Sequence, residues 1–336
     1  MARLRIVRIA PGASVQDRGR TGYRRYGVSV SGPMDWARHE LALRLAGCAP
    51  DAPCIEFGPG GATVEALDES VLVAATGPGF RLEVKRPDGH RSRIEAPATV
   101  VLQEGATLSV TAKGSGTWGY VAWRGAEFGD ATLGSRATNL RTRLGPAVPH
   151  DGTVYGAEPT GSREPPTRYA DPVEDTARPI ALLHGPQTHL FTDTALERLV
   201  EEAFHVTRAI DRMGYRLEGP RLEAAAGHDI VSDALTEGAI QVPGDGQPIV
   251  LCADRAPTGG YPKIAVVARA DLPRLVQSLP GAELRFAWTT VEAARSATTA
   301  LRAELAKPEP LARTTLDPTF LLTRNLIDGV WGVDPG

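Results

Sequence analysis

Apolar and polar positions alternate along this chain at short intervals, and the intervals are those of strands. Leu4–Ile9 alternates residue by residue. Ser70–Thr76, Phe80–Val84, Thr107–Thr111 and Trp118–Trp123 are short runs rich in Val, Thr and aromatics, punctuated by Gly and Pro. The spacing predicts one helix among them. Between Ser31 and Gly47, residues Met34, Ala37, Leu41 and Leu45 share a face, Ser31 or Gly32 can cap the start, Asp35 sits in the first turn and Gly47 ends it. A second block repeats the pattern, with strands at Ile180–His184, Ala239–Val242, Ile249–Ala253, Lys263–Ala268 and Glu283–Trp288. Its helices are expected at Ala195–Phe204, opened by the capping box Thr194-Ala-Leu-Glu197, at Leu272–Leu279 after Asp271, and at Val291–Lys307 after Thr290.

The stretch joining the blocks is dense in Pro and Gly and poor in apolar residues, as in Gly161-Ser-Arg-Glu-Pro-Pro-Thr-Arg, and reads as a linker. The division expected is an N-terminal β-rich subdomain over 1–145, a linker over 146–179, a C-terminal subdomain over 180–307 and a tail over 308–336. The tail carries apolar residues such as Phe320, Leu326 and Trp331 without clear period and is expected to pack on its own chain or on a partner. The fold class expected is mainly β, a β-rich α+β chain with a few short helices. At 336 residues, each half is long enough to bury a core.

Composition narrows the function classes. Hydrophobic residues at 42% and charged residues at 23% describe an ordinary globular chain. A formal charge of −3 supplies no basic field, so no nucleic acid is expected as a partner. The longest apolar runs, Ile249–Ala253 and Ile264–Ala268, are far short of a bilayer span, so no membrane is expected either. Met1-Ala-Arg-Leu-Arg-Ile lacks the apolar block of a signal peptide, and Cys48, Cys54 and Cys252 neither pair evenly nor form CxxC; both favour a cytoplasmic location.

Several spellings of chemistry fail on context. Gly114-Ser-Gly-Thr-Trp-Gly119 matches GxGxxG, but a strand-like segment follows it where a dinucleotide site needs a helix, so its glycines are expected to make a hairpin. No GxxxxGK[ST] and no GxSxG occurs, and Ser135 has no evident base. His184 and His189 flank turn residues rather than sharing a helix face, so no metal site is expected.

Two segments concentrate polar groups between strand ends. In Val15–Asp35, Gln16, Asp17, Arg18, Arg20 and Arg24 can surround a small anion, or can pair with one another to brace a loop. Ala239–Lys263 reads as a hairpin through Gly244-Asp-Gly246, with Gln241, Gln247, Asp254, Thr258, Tyr261 and Lys263 as its chemical inventory. There, too, Gln247 and Asp245 can simply satisfy turn amides.

These residues, in this order, carry a resemblance. Val15-Gln-Asp-Arg-Gly-Arg-Thr-Gly-Tyr23, Ser31-Gly-Pro-Met-Asp35, Cys54-Ile-Glu-Phe57, Leu133-Gly-Ser-Arg-Ala-Thr-Asn-Leu140, Asp211-Arg-Met-Gly-Tyr-Arg216, Gly238-Ala-Ile-Gln-Val-Pro243, Gly246-Gln-Pro-Ile-Val250, Thr258-Gly-Gly-Tyr-Pro262 and Asp271-Leu-Pro-Arg-Leu-Val-Gln277 resemble the KipA-like carboxyltransferase-domain family, which includes the C-type subunit of 5-oxoprolinase and the carboxyltransferase region of urea amidolyase. The resemblance implies two linked cyclophilin-like β-barrels. It implies one component of an ATP-dependent 5-oxoprolinase that forms L-glutamate from 5-oxo-L-proline. The partners implied are a KipI-like B-type subunit together with an A-type one, and ATP is the implied co-substrate. Alternatives within the resemblance are a biotin-dependent carboxyltransferase acting on urea or a similar small amide, or a non-catalytic antagonist of a KipI-like kinase inhibitor. A family member reassigned to other chemistry is a further alternative. Biotin would arrive on a separate carrier, since this chain has no biotin-attachment motif.

For a small amide or lactam, donors on the developing oxyanion lower the barrier. On chemical grounds Arg20, Arg212 and Arg216 are expected to serve anionic groups, with Thr258, Tyr261 and Lys263 beside them. Gln16 and Gln241 are expected to orient the amide, and Asp17 or Asp35 to handle protons. Arg212-Met-Gly-Tyr-Arg216 reads equally as a strand with its arginines salt-bridged at the surface. The resemblance departs at Arg143–Gly152, at Ala256-Pro257 and at Trp123-Arg-Gly125. The Gln16–Arg20 and Thr258–Lys263 loops are expected to face one common pocket.

Overall fold

A computed structural model describes residues 2–162, 164–173, 178–225 and 227–311. The expected tail lies outside them beyond residue 311.

The N-terminal half is built from two six-stranded antiparallel sheets around one core. The first runs in the spatial order Val154–Ala157, Ala2–Ile9, Ala62–Ala66, Thr107–Ala112, Phe80–Lys85, Arg91–Glu95. The second runs Thr167–Arg168, Ala98–Leu102, Val71–Thr76, Gly119–Trp123, Cys54–Phe57, Ser14–Gln16. Ala2–Ile9 buries alternate residues, with Leu4 and Ile6 in the core, as its sequence pattern requires of a sheet with one wet face. Gly119–Trp123 is buried on both faces. Val121 and Trp123 enter the N-terminal core, while Tyr120 and Ala122 enter a second core shared with the C-terminal half. Each large apolar side chain contributes about 1.5–3 kcal/mol when fully buried.

The C-terminal half is an eight-stranded sheet: Glu283–Leu284, Phe204–Ile210, Gly214–Glu218, Ile249–Leu251, Ala239–Gln241, Lys263–Val267, Ile180–His184, Phe286–Trp288. Its two edge strands are neighbours in sequence, separated by Arg285 alone. One kinked segment therefore pairs with Phe204–His205 at one edge and with Ile180–Leu182 at the other, which closes the sheet into a barrel and leaves no long open edge. The hairpin expected through Gly244-Asp-Gly246 is present, with Gln241 opposite Ile249.

Four α-helices among the described residues complete the fold. α1 (Trp36–Leu45) is capped by Asp35, whose side chain accepts from Arg38 N, rather than by Ser31 or Gly32. It is buried nearly all round, Arg38 and His39 included, because it is wedged between the N-terminal sheet and the C-terminal half. α2 (Asp193–Glu201) starts after its cap Thr192, so Phe204 belongs to the next strand. α3 (Leu272–Val276) and α4 (Val291–Ala306) follow, the last capped by Thr290 as expected.

Two expectations are corrected. The 146–179 segment is no free linker: Val154–Ala157 pairs with Ala2–Arg5 and Thr167–Arg168 with Ala98–Thr99. Its Pro residues, such as Pro159, Pro165 and Pro166, fall outside both strands, so no ladder hydrogen bond is lost to them. Residues 114–119 form no hairpin either, since Thr107–Ala112 and Gly119–Trp123 lie in different sheets. Gly116 and Gly119 serve close approach, since a Cβ would collide with the Pro78 carbonyl oxygen at the first and with the Phe57 ring at the second; Gly79, packed against Ser115 Oγ, does the same from the facing turn.

Candidate functional site

The chemistry-bearing residues separate into two kinds of place, a buried junction between the halves and cavities beside it. At the junction, Arg212 stands just ahead of the Gly214–Glu218 strand and enters the N-terminal half. Its Nε and Nη2 engage Asp254 at 2.9 and 3.1 Å, Nη2 also donates to Gly32 O at 2.7 Å, and Nη1 donates to Glu56 Oε1. Glu56 in turn accepts from Met34 N and from Tyr120 Oη, both at 2.7 Å, and Tyr120 Oη accepts from Asp35 N at 2.8 Å. Asp35 holds Arg38 Nη1 at 2.7 Å and Gln277 Nε2 at 2.8 Å, and Arg38 Nε reaches Asp171 at 2.7 Å. Burial alone would lower the Arg212 and Arg38 guanidinium pKa values; the acidic partners reverse this and drive both upward. With its donors spent on two carboxylates and a carbonyl, Arg212 ties the halves together, a use different from the expected service to an anionic ligand.

The Gln16–Arg20 loop is equally engaged. Asp17 accepts from Gly19 N at 2.8 Å, Ser135 Oγ at 2.6 Å and Arg136 N at 2.5 Å. Gln16 donates to Ser14 Oγ and Thr138 O, both at 2.9 Å, and accepts from Gly32 N at 3.2 Å. Arg20, 1% exposed, donates to Ala137 O and keeps Nη1 without a partner among the described residues. Gly19 is obligatory, with φ +82° and room for a Cβ only 2.7 Å from Val30 O. Gln16, Asp17 and Arg20 thus brace the loop against residues 132–138. Lys263, 2% exposed, pairs with Asp233 at 2.8 Å, and this bond, with those from Ala234 N and Gln187 Nε2, holds the Asp233 carboxyl down at about 2.

Four of the expected site residues meet at one cavity. Gln241, Arg216, Thr258 and Tyr261 line a space of about 450 Å³ on the outer face of the C-terminal barrel, beside the two-stranded ribbon of Asp233–Ala234 and Thr258–Gly259. Arg208, Asp211 and Arg255 add charge, and Met213, Leu235, Ile249 and Leu251 add apolar wall. Gln241 Nε2 donates to Tyr261 O at 3.2 Å, and its Oε1 has no hydrogen bond to a described residue. A second space of about 840 Å³ opens between α1 and the C-terminal half and is lined by Arg18 and Thr21 from the N-terminal loop. The two loops therefore open onto different cavities, not one. Arg255 lines both, because it stands where the walls meet.

Residues 26–288 match the family model for the carboxyltransferase domain, subdomains A and B. The chain belongs to this carboxyltransferase-domain family. Within it, the chain is 30% identical over 299 residues to the C-type subunit of the Escherichia coli 5-oxoprolinase, covering 88% of this chain and 94% of that one. It is 29% identical over 315 residues to the urea amidolyase of Saccharomyces cerevisiae, covering 85% of this chain but 17% of that one. The solved urea amidolyase of K. lactis superposes with a TM-score of 0.79 at 24% identity, over 90% of this chain and 20% of that chain, which is agreement in fold. Among the described residues no helix is long and apolar enough to cross a membrane.

Sequence reasoning missed Glu56, Tyr120, Arg255 and Gln277, and counted Asp254 in the hairpin's chemical inventory without giving it a role. The signal for Glu56 was available: a carboxylate inside the apolar run Cys54-Ile-Glu-Phe57 must be buried and needs a partner. Arg255 carried no such signal, because only folding puts it between two cavities.

Proposed function

We propose that the chain is the C-type subunit of an ATP-dependent 5-oxoprolinase, acting with A- and B-type partners to form L-glutamate from 5-oxo-L-proline. The observation that carries this reading is the extent of the match. The chain aligns with 94% of a free-standing 5-oxoprolinase component, but with only 17% of a urea amidolyase. The outer-face cavity suits the substrate. Arg216 and Arg208 supply charge for its carboxylate, the free Gln241 Oε1 accepts the lactam N–H, and Leu235, Ile249 and Leu251 suit the ring methylenes. Tyr261, 42% exposed, stands at the rim, where a partner protein can complete the site. ATP is consumed by the assembled complex, and this chain's part is to hold and orient the amide.

The test is reconstitution with both partners, measuring L-glutamate released from 5-oxo-L-proline with and without ATP. ATP-dependent release by the complete set, absent when this chain is omitted, is the expected result. No release with every component folded overturns the reading. The family match favours one second reading, carboxyl transfer from carboxybiotin to a small amide. Gln241 and the apolar wall suit a ureido ring as well, and biotin would there supply the carboxyl group. Transfer of labelled carboxylate from carboxybiotin to urea would select it.

A further inference from the structure

The large cavity between α1 and the C-terminal half has a charge pattern that the proposed reaction site does not use. Arg18, Arg255, Arg269 and Arg302 line it, and Arg18, Arg269 and Arg302 make no ion pair with a described residue. Arg255 donates through Nη1 to Cys252 O at 3.1 Å and leaves its buried Nε without a partner among the described residues. Arg269 and Arg302 both lie over the Trp36 ring, at 5.0 and 5.8 Å from its centre, which holds them at the cavity wall. In the same lining stands Glu237, whose carboxylate has neither hydrogen bond nor ion pair to a described residue. It is half-buried by area, yet protein surrounds its carboxyl closely enough that desolvation raises its pKa against the pull of Arg255 and Arg269. A simple polyanion would satisfy the arginines and be repelled by Glu237. A simple cation would do the reverse. A ligand carrying both an ammonium and carboxylates satisfies all of them.

We propose that this cavity binds a free α-amino dicarboxylic acid, with its ammonium on Glu237 and its carboxylates among the arginines. Under the reaction proposed above, on which the choice of ligand rests, that molecule is the product L-glutamate. The substrate 5-oxo-L-proline has an uncharged lactam nitrogen and offers Glu237 no cation, so the cavity separates product from substrate. Arg255, shared by both cavities, joins the product site to the site of the amide.

Calorimetric titration of the full chain with L-glutamate, glutarate, 5-oxo-L-proline and pyrophosphate tests this. L-glutamate should bind about tenfold or more tightly than glutarate, the worth of one charge-assisted contact. Glu237→Gln should erase that preference, and Arg302→Ala, on the exposed side of α4, should weaken both ligands while the chain stays folded. Equal affinity for glutarate and L-glutamate overturns the proposal. So does a preference for pyrophosphate that Glu237→Gln strengthens, or an L-glutamate affinity that neither variant changes. Turnover by the reconstituted complex is read separately. Glutamate binding without turnover removes the reaction and keeps the site, whereas turnover without binding removes the site and keeps the reaction.

Discussion

The junction and the outer-face cavity are built from the same residue types and put them to opposite uses. At the junction, Arg212, Glu56, Asp254, Asp35 and Arg38 are buried and satisfied by one another. At the cavity, Arg216 is exposed and pairs with no described carboxylate, and Gln241 Oε1 has no hydrogen bond to a described residue. The difference teaches that a charged residue in a motif is informative about ligands only once its protein partners are counted. Arg212 and Arg216 are four positions apart. The first precedes the Gly214–Glu218 strand and turns into the interior, while the second lies within the strand on its outer face.

Breaking the junction should give the largest effect. Arg212→Ala strands Glu56 and Asp254 as unpaired buried carboxylates, and urea denaturation should show a loss of about 3–5 kcal/mol, or failure to fold. A loss under about 1 kcal/mol would mean the knot does not hold the halves together. The cavity should respond in the opposite sense. Arg216→Ala should leave stability within about 0.5 kcal/mol and lower kcat/KM for 5-oxo-L-proline in the complex by about 10- to 100-fold. Equal damage to both quantities would erase the contrast.

The smallest effect sharpens the comparison through pH. Lys263 first, then the Ala234 amide and Gln187, depress the Asp233 carboxyl to about 2 in the folded chain, below its ordinary value of 3.8. A depressed carboxyl stabilises above its unfolded pKa and loses that contribution as pH falls toward the folded one. The advantage of the native chain over Asp233→Asn in thermal unfolding should therefore be full above about pH 4 and fade toward about pH 2. Because Asp233 is open to solvent, added salt should shrink it as well. An advantage that persists unchanged down to that acid limit would show that the pair contributes no charge-dependent stability.

Much of this was legible along the chain. Period-two runs named most inner strands, and Thr290 announced α4. Other features were hidden for physical reasons. α1 looked amphipathic through Met34, Ala37, Leu41 and Leu45, but it is buried on the other side too, where Arg38 and His39 find partners in Asp171 and the Gln16 carbonyl. Val154–Ala157 looked like linker because an edge strand needs little apolar pattern, and its pairing with Ala2–Arg5 is a long-range fact. Among the residues expected at the site, Gln241, Arg216, Thr258 and Tyr261 share a cavity, and the others are held within the protein.

Sequence by itself determined the β-rich class, the family and the inventory of polar groups, because period, turn chemistry and ordered motifs are local and linear. Tertiary structure alone decided which arginines are spent and which are free, that the two loops face separate cavities, and that Arg255 stands between them. Charge satisfaction is a property of neighbours in space, and those neighbours, such as Glu56 with Arg212, lie far apart along the chain.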